Sequence, residues 1–575
     1  MIVAEAVGAI LAAAGAEVVF GVVGSGNFHV TNALVRHGVR FVAARHEGGA
    51  ATMADAYARM SGDLAVVSVH QGPGFTNAIT GIAEAAKSGT PMVVLSGEAT
   101  DARSNFAMDQ DAVARAVGAV PMRVSDPDTA GQYALEAVRV ATEERRTVLL
   151  NLPLDVQAAA VGESWGRLEH VARQLRDRPS PAPLDASPEE VASLGRLLME
   201  SRRPVFVAGR GARHARSELE ELAESAGALL ATSAVARGLF RGSPWDLDVS
   251  GGFATPLAAE LIRGADLVVG WGCGLNMWTT RHGSLIGPEA KVVQVDLERA
   301  AVGRYVPADL GVVGDVARVA RQVRAGIESS RPHEVGETST PSPVGEGRWS
   351  GGSGPERGYR SAAVAGRVRE EGRWRAVPYI DEGGDGRIDP RTLTIGLDDL
   401  LPPERLVSTD SGNFMGYPAM LLDVPDEFGF CFTQAFQAVG LGLATAIGAA
   451  IARPDRLPVA ALGDGGALMS AAELETVVRL GLPMLVVVYD DEAYGAEVHH
   501  FGPHGHPLDT VMFPPADLAA IARGHGFDAV TVTGPADLAG VADWLAGPRD
   551  RPLLVHAKVT RERPSWWLEE AFRGH

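Results

Sequence analysis

Gly463-Asp464-Gly465-Gly466, followed by Tyr489-Asp490-Asp491-Glu492-Ala493-Tyr494-Gly495, brackets the stretch that decides the fold of this chain. Between them, apolar residues recur at helical spacing from Ala467 to Leu480, and a second apolar run covers Met484 to Tyr489. Pro458 to Leu462 forms an apolar run just before. The periodicities predict strand, helix and strand, with Gly481 and Pro483 ending the helix. About 13 helical residues at ~1.5 Å rise run back roughly 20 Å, and about seven strand residues at ~3.3 Å return the same distance. A right-handed β-α-β unit of this size brings Asp464 and Asp491 to one carboxyl edge of a parallel sheet. Two carboxylates beside glycine N–H groups at a helix start suit a hard cation that clamps a diphosphate. The alternative is that both merely cap turns.

The rest of the chain sets the frame. Its 575 residues predict about three domains. With 68 glycines and 46% apolar residues, the composition suits α/β layers. A formal charge of −19 argues against a nucleic-acid or anionic-membrane partner. The two cysteines, Cys273 and Cys431, lie far apart and suit buried apolar positions in a reducing compartment. Glu5 and Glu17 interrupt the apolar start, which predicts an amphipathic helix and not a leader. The uncharged stretch Gln434 to Ala452 approaches membrane-span length, but its glutamines and glycines predict a buried helix after a strand-like Phe428 to Thr433. A soluble, cytoplasmic protein is expected.

The organisation predicted is α/β, with three doubly wound parallel-sheet domains. Residues 1–160 alternate strands (Val18 to Val23, Phe41 to Ala44, Leu64 to Val69, Met92 to Ser96, Thr147 to Leu152) with helical segments. A Pro-rich linker begins at Arg178, and a second α/β pattern occupies 188–328, with strands at Pro204 to Ala208, Leu267 to Gly270 and Lys291 to Asp296. Residues 329–385, rich in Gly, Ser, Pro, Glu and Arg, predict a low-complexity, loosely packed connection. A third domain covers 386–575. One internal echo stands out: the run from Leu64 through Gly89-Thr-Pro-Met-Val-Val-Leu parallels the run from Pro458 through Gly481-Leu-Pro-Met-Leu-Val-Val. The first and third domains are thus expected to be two copies of one unit with a ligand between copies.

With these stretches in view, the chain resembles the thiamine-diphosphate-dependent enzymes of the acetolactate synthase, pyruvate decarboxylase and benzoylformate decarboxylase superfamily, and most of all acetolactate synthase. The resemblance implies a pyrimidine-binding N-terminal domain, a central Rossmann-like domain and a diphosphate-binding C-terminal domain. It implies that Gly463, Asp464, Gly465 and Gly466 hold Mg²⁺ and the cofactor's diphosphate with Asp491, 27 residues after Asp464. The carbonyl of Ala493 completes the ligands, and Tyr494 lies beside them. The family usually has Asn at the second position, so Asp491 adds a charge. Arg45-His46-Glu47-Gly48-Gly49-Ala50-Ala51 resembles the segment that carries the family's catalytic glutamate. Glu47 sits where a strand hands over to a helix. A carboxyl buried at such a junction titrates high and can share a proton with a ring nitrogen, which the resemblance identifies as N1′ of the aminopyrimidine. The bland reading is a helix-capping Glu paired with Arg45. Val439-Gly440 matches the apolar wedge that bends the cofactor, with a side chain smaller than usual, and Ser411, Gly412 and Asn413 match a diphosphate-contacting turn.

Three residues bear on the reaction. His70 opens His-Gln-Gly-Pro-Gly, where decarboxylases of aromatic 2-oxo acids carry an active-site His. Glu497 falls three residues after Tyr494, where pyruvate decarboxylases carry a proton-transferring Glu. Gln110 matches a substrate-side Gln of acetolactate synthases. Each has a plain alternative: a satisfied loop histidine for His70, a solvated helix residue for Glu497. The histidines at 499, 500, 504 and 506 lie in a loop without convincing ligand spacing. The resemblance implies decarboxylation of a small 2-oxo acid and ligation of the acyl-anion equivalent to a second carbonyl. The alternatives are simple decarboxylation to an aldehyde, and a catalytically silent scaffold that kept the cofactor fold. A homodimer or homotetramer with active sites at the subunit interface is implied. In the middle domain, Gly209 to Ala212 with Arg281 leaves FAD open, and a nicotinamide dehydrogenase is the remaining rival on the same glycines.

Overall fold

Parallel strands buried on both faces demand continuous apolar runs, and these runs form the centres of three six-stranded sheets. The computed structural model describes residues 1–162, 165–177, 183–329 and 358–571. The first sheet contains β1 (Val18–Gly21), β2 (Arg40–Ala43), β3 (Ala65–Val69), β4 (Met92–Glu98), β5 (Val120–Arg123) and β6 (Thr147–Pro153). The middle sheet contains β7 (Pro204–Ala208), β8 (Leu229–Thr232), β9 (Asp246–Val249), β10 (Leu267–Trp271), β11 (Lys291–Asp296) and β12 (Leu310–Val313). The third contains β13 (Arg405–Thr409), β14 (Phe430–Cys431), β15 (Leu457–Gly463), β16 (Leu485–Asp490), β17 (Asp528–Val532) and β18 (Leu553–Lys558).

The first and third sheets have the same order, β2-β1-β3-β4-β6-β5 and β14-β13-β15-β16-β18-β17. The echo between Leu64–Leu95 and Pro458–Val487 is therefore a repeat of architecture. In each sheet the winding reverses between the first and third strands of the set, and the carboxyl ends there open a crevice. The middle sheet runs β12-β11-β10-β7-β8-β9, the other doubly wound order.

The first and third sheets belong to one compact unit and the middle sheet to another. Within the former, the helix Glu47–Ser61 packs along the helix Gly442–Ala452, and their buried alanines, Leu443 and Ile447 share one apolar core with both sheets. Glycine makes that approach possible: a Cβ at Gly448 would lie 2.1 Å from the Met53 carbonyl oxygen; likewise one at Gly81, on the helix Pro73–Ser88, would lie 2.7 Å from the Ala51 methyl. The helix Trp165–Arg176, beyond residue 160, packs Ala172 and Leu168 into the outer core of the first sheet. Cys273 and Cys431 are buried thiols.

Several elements differ from the sequence expectation. The helix expected over Ala467–Leu480 is two: Asp464–Met469 and Glu473–Arg479. Ser470 bonds its hydroxyl back to the Gly466 carbonyl at 2.8 Å, a local alternative to the helical ladder that ends the first segment. The strand-like run Phe428–Thr433 shrinks to Phe430–Cys431, and the buried helix is confined to Gly442–Ala452. Residues 434–441 instead form an irregular turn with left-handed Gln437 (φ 60°) and Gly440 (φ 90°).

The loosely packed connection expected over 329–385 is partly structured. Its helix Ala362–Glu371 belongs with the middle sheet, where Arg367 pairs with Glu260 at 2.7 Å and Tyr359 donates to the Leu261 carbonyl at 3.0 Å. Its few apolar residues are well placed: Val368 is buried in the apolar core on one face of the middle sheet, with Tyr359 and Val364 packed against it. Residues 330–357 lie outside the described residues. No helix among the described residues is long and apolar enough to cross a membrane.

Gly448→Ala should lower stability by about 1–3 kcal/mol, because the obstacle is backbone and cannot step aside. Thermal unfolding of the variant checks this, and an unchanged midpoint would contradict the close crossing.

Candidate active site

Residues that carry the third-sheet constellation come from three neighbouring strand ends. After β13, Asp410 is fully buried, and its carboxylate accepts the N–H groups of Ser411 (2.8 Å), Gly440 (2.9 and 3.0 Å to its two oxygens) and Leu441 (3.3 Å). Burial pushes its carboxyl up to about 6, while these N–H groups pull the other way. Asp410 thus fixes the turn that presents Val439, which is 42% exposed. Gly466 admits this carboxylate, since a Cβ there would lie 2.2 Å from Asp410 Oδ2 and 3.5 Å from Val439 Cγ1.

After β15, the half-buried Asp464 opens the helix Asp464–Met469, in whose first turn Gly465 and Gly466 leave N–H groups without intrahelical partners. After β16, Asp491 is buried, and its Oδ1 accepts the Ala493 N–H at 3.3 Å. Gly495 clears space for the other oxygen: a Cβ there would meet Asp491 Oδ2 at 2.2 Å. Between Asp491 and Ala493, Glu492 takes a left-handed φ of 57°. Such a conformation in a residue with a side chain needs support. It is supplied by ion pairs of Glu492 with Arg387 (2.6 Å), Arg561 (3.4 Å) and Lys558 (3.5 Å). The exposed Tyr494 ring lies over Gly465, whose Cβ would be 3.3 Å from Tyr494 Cε1, and packs edge-on against Phe513.

The electrostatics favour a cation. Burial, then Asp491 and Asp490, raise the Asp464 carboxyl to about 8, and burial together with Asp490 raises Asp491 to about 7. Asp490 itself is held low against burial by His556 Nε2 and Lys558 Nζ, each 2.6 Å from its Oδ2. Among the described residues no basic side chain forms an ion pair with Asp464 or Asp491. No backbone N–H donates to the Ala493 carbonyl among the described residues. Two hard carboxylates and an unengaged carbonyl fit a divalent oxygen-seeking ion that keeps its remaining positions for phosphate and water.

The first-sheet constellation is built from β2, β3 and β4. Glu47, half-buried where burial was expected, starts the helix Glu47–Ser61, with His46 as N-cap accepting the Gly48 N–H on Nδ1. Asn77 Nδ2 donates to Glu47 Oε2 at 3.0 Å. His70 follows β3, and Gly74 brings the two together: a Cβ there would lie 3.0 Å from His70 Cβ and 3.3 Å from Glu47 Oε1. His70 Nδ1 lies 2.9 Å from the Gln71 carbonyl, so the neutral ring carries its proton on Nδ1. Its Nε2 is then the acceptor facing Ser25 Oγ at 3.3 Å across the crevice between β1 and β3. The ring also packs edge-on against Phe106.

Two expected contributors serve elsewhere. Gln110 is only 2% exposed, and its amide is occupied within the domain. It donates to Gly97 O (3.0 Å) and Asn151 Oδ1 (2.7 Å) and accepts from the Gly72 N–H (3.1 Å). Through the Gly72 N–H it holds the His-Gln-Gly-Pro-Gly loop. Asn413 is likewise turned to the C-terminal segment, where its Oδ1 accepts the Ser565 N–H at 3.0 Å and its carbonyl accepts Trp567 Nε1 at 2.9 Å. Ser411 and Gly412 remain half-buried beside it. Glu497 is exposed in the first turn of the helix Gly495–Phe501. No three His, Cys, Asp or Glu side chains gather as a metal cage among the described residues, the loop histidines included.

In the middle domain the glycines have another task. The Gly209 N–H donates to Trp271 O at 2.9 Å and the Gly211 N–H to Gly272 O at 3.2 Å, so neither is free for a pyrophosphate. A Cβ at Gly209 would lie 2.2 Å from Gly272 O, which explains the glycine as a close backbone crossing. Arg281 is buried and donates to the carbonyls of Gly251 and Ala254, both at 2.8 Å. These residues do not fit FAD or NAD.

The comparisons agree with this division of labour. Residues 1–117 match the family model described as thiamine pyrophosphate enzyme, N-terminal TPP binding domain, residues 191–323 its central domain, and residues 410–557 its C-terminal TPP binding domain. The chain belongs to the thiamine pyrophosphate enzymes. It is 26% identical to a protein of Methanocaldococcus jannaschii named probable acetolactate synthase large subunit, with 93% of this chain and 88% of the relative covered. It is 27% identical to a sulfoacetaldehyde acetyltransferase of Castellaniella defragrans, covering 91% and 86%. It is 28% identical to a protein of Pseudomonas aeruginosa named probable 2-ketoarginine decarboxylase, covering 90% and 87%. This thiamine pyrophosphate enzyme thus has both group-transferring and decarboxylating relatives.

The raised carboxyls carry a sign. An unfolded chain releases these protons near the ordinary aspartate value of 3.8, before the fold does, so Asp464 and Asp491 cost stability progressively as pH rises from about 4 through about 8. Relative to an Asp464→Asn, Asp491→Asn variant, the cofactor-free enzyme should lose thermal stability between pH 5 and 8. Mg²⁺ with thiamine diphosphate should raise its midpoint more at pH 8 than at pH 6. A pH-independent increment in thermal shift measurements would contradict the assignment.

Proposed function

We propose that this enzyme uses thiamine diphosphate and Mg²⁺ to decarboxylate a small 2-oxo acid and to pass the acyl-anion equivalent to a second carbonyl, as an acetolactate synthase-like carboligase. The observation that supports it most is the unbalanced carboxyl pair Asp464 and Asp491 on the third sheet, complemented on the first sheet by Glu47 beside His70 at Gly74. The acetolactate synthase and acetyltransferase names among the relatives favour transfer over simple release.

Asp464, Asp491 and the Ala493 carbonyl would hold the metal and, through it, the diphosphate, with the glycine N–H groups alongside. Val439, braced by Asp410, would support the bend of the cofactor. When bound, the cofactor supplies the electron sink that lets the bond to the leaving CO₂ break. Glu47 holds and returns a proton at Oε1, its other oxygen being fixed by Asn77. His70 accepts or returns a proton at Nε2, and Ser25 keeps that nitrogen oriented.

On this reading the two constellations meet across two chains. Around the third-sheet site Val439, Leu468, Met469 and Tyr494 are 42%, 47%, 67% and 49% exposed. An apolar rim of this kind suits coverage by a second copy, whose Glu47 would then serve this metal site. The arrangement is a homodimer or a pair of such dimers in the cytoplasm.

A second reading, decarboxylation to an aldehyde, is favoured by His70 next to Glu47, by the exposed Glu497 and by the decarboxylase relative. Incubation with pyruvate, followed for acetolactate and acetoin against acetaldehyde, separates the two, and aldehyde as sole product would defeat the ligase. Glu47→Gln should lower the rate about 10²–10⁴-fold, because it removes the acid while keeping the shape. In sedimentation the active species should be a dimer or tetramer, and an active monomer would contradict the shared site.

A further inference from the structure

Two buried carboxylates lie outside both constellations. Glu473, 3% exposed, starts the helix Glu473–Arg479, and Glu84, fully buried, lies on the helix Pro73–Ser88. Glu473 makes no ion pair with a basic side chain among the described residues. Its Oε1 instead accepts two backbone N–H groups of the first domain, those of Arg45 and His46, each at 3.0 Å. Its Oε2 accepts the Thr476 hydroxyl at 2.7 Å. These are the two residues immediately before Glu47, where the chain has left β2 and no ladder remains to take their protons. Gly49 makes room, since a Cβ there would lie 2.5 Å from Glu473 Oε1.

Glu84 does the reciprocal. Its Oε1 accepts the Ala435 N–H at 2.9 Å and its Oε2 the Phe436 N–H at 2.6 Å, where the chain has left β14 and runs to Val439. Arg59, itself bonded to the Phe432 carbonyl at 2.9 Å, balances the Glu84 charge at 2.7 Å. By the shared sheet order β2 corresponds to β14 and β3 to β15. Each carboxylate therefore reaches from the helical segment after one copy's third strand to the turn after the other copy's second strand.

We infer that Glu473 and Glu84 are positioning residues, a reciprocal pair in which Glu473 aligns Glu47 and Glu84 aligns the turn that carries Val439. The inference rests on the proposed role of Glu47. A carboxylate oxygen can take two N–H groups at once. Removing it leaves both N–H groups at a partly buried turn without a partner. The catalytic acid then sits at the end of a loosened peptide.

Glu473→Ala and Glu473→Gln in the full chain test this, with amide hydrogen exchange of the cofactor-free protein read over residues 44–50. In Glu473→Ala the Arg45 and His46 amides should exchange about tenfold faster or more. With cofactor and Mg²⁺, kcat should fall about 10–100-fold while KM for the 2-oxo acid changes little. Glu473→Gln keeps the oxygen that takes both N–H groups and should restore both readouts to within about threefold. If the alanine variant does not fold, the near-isosteric Thr476→Val, which removes the donor that orients Oε2, should raise exchange at 45–46 and lower kcat by smaller factors. Unchanged exchange at 45–46, unchanged kcat despite faster exchange, or a glutamine variant no better than alanine would each overturn the inference. Absence of turnover in the wild type would instead defeat the proposed function, and the exchange measurement would still decide the clamp.

Discussion

A carboxylate in a region poor in water must find protons, cations or N–H donors, and this chain disposes of its buried acids in all three ways. Asp464 and Asp491 are raised toward neutrality by burial and by neighbouring carboxylates, with Arg561 pulling Asp491 the other way and no ion pair to either among the described residues, which leaves room for a divalent ion. Asp410, Glu473 and Glu84 are instead surrounded by backbone N–H groups that have left a strand and not yet entered a helix. Asp490 is neutralised by His556 and Lys558. The same chemical group thus serves as the metal ligand we propose, as turn support and as ion-pair partner, according to what surrounds it.

These roles are coupled by the duplicated sheet. Each copy places polar side chains at the crevice where the winding reverses, Ser25 and His70 in the first and Asp410 and Asp464 in the third. The copies then cross-brace each other through the close helix pair Glu47–Ser61 and Gly442–Ala452. Glycine appears wherever the bracing needs a carboxylate or a carbonyl closer than a side chain would permit, as at Gly49, Gly448, Gly466 and Gly495. In the middle domain glycine does a plainer job, letting two strand-end loops cross, and the resemblance of Gly209-Arg-Gly to a nucleotide loop ends there.

Much of the fold was legible from apolar runs. The central strands β3, β4, β6, β7, β10, β11, β15 and β16 are buried on both faces and stand out as continuous hydrophobic stretches. Edge strands such as β5, β14 and β17 were not, because they are short or carry exposed residues and resemble loops in composition. The places of Glu47, Asp464 and Asp491 at the starts of helices or turns after β2, β15 and β16 were legible, because glycine-flanked acids mark where strands end. The hydrogen bonds that Gln110 and Asn413 make within the fold were not legible, since a side-chain amide looks the same in sequence whatever it bonds to.

The linear order of residues by itself determined the three α/β domains, the duplicated unit, and the acids at the ends of β2, β15 and β16. Spacing and hydropathy suffice for those, because strands and helices respond to their own residues and near neighbours. Only the tertiary structure decided which acids hold a turn. That choice depends on partners distant in the chain, as when Glu473 takes the N–H of Arg45 across a separation of 428. No local pattern encodes such a pairing; it exists only once two copies of one sheet lie against each other and exclude water between them.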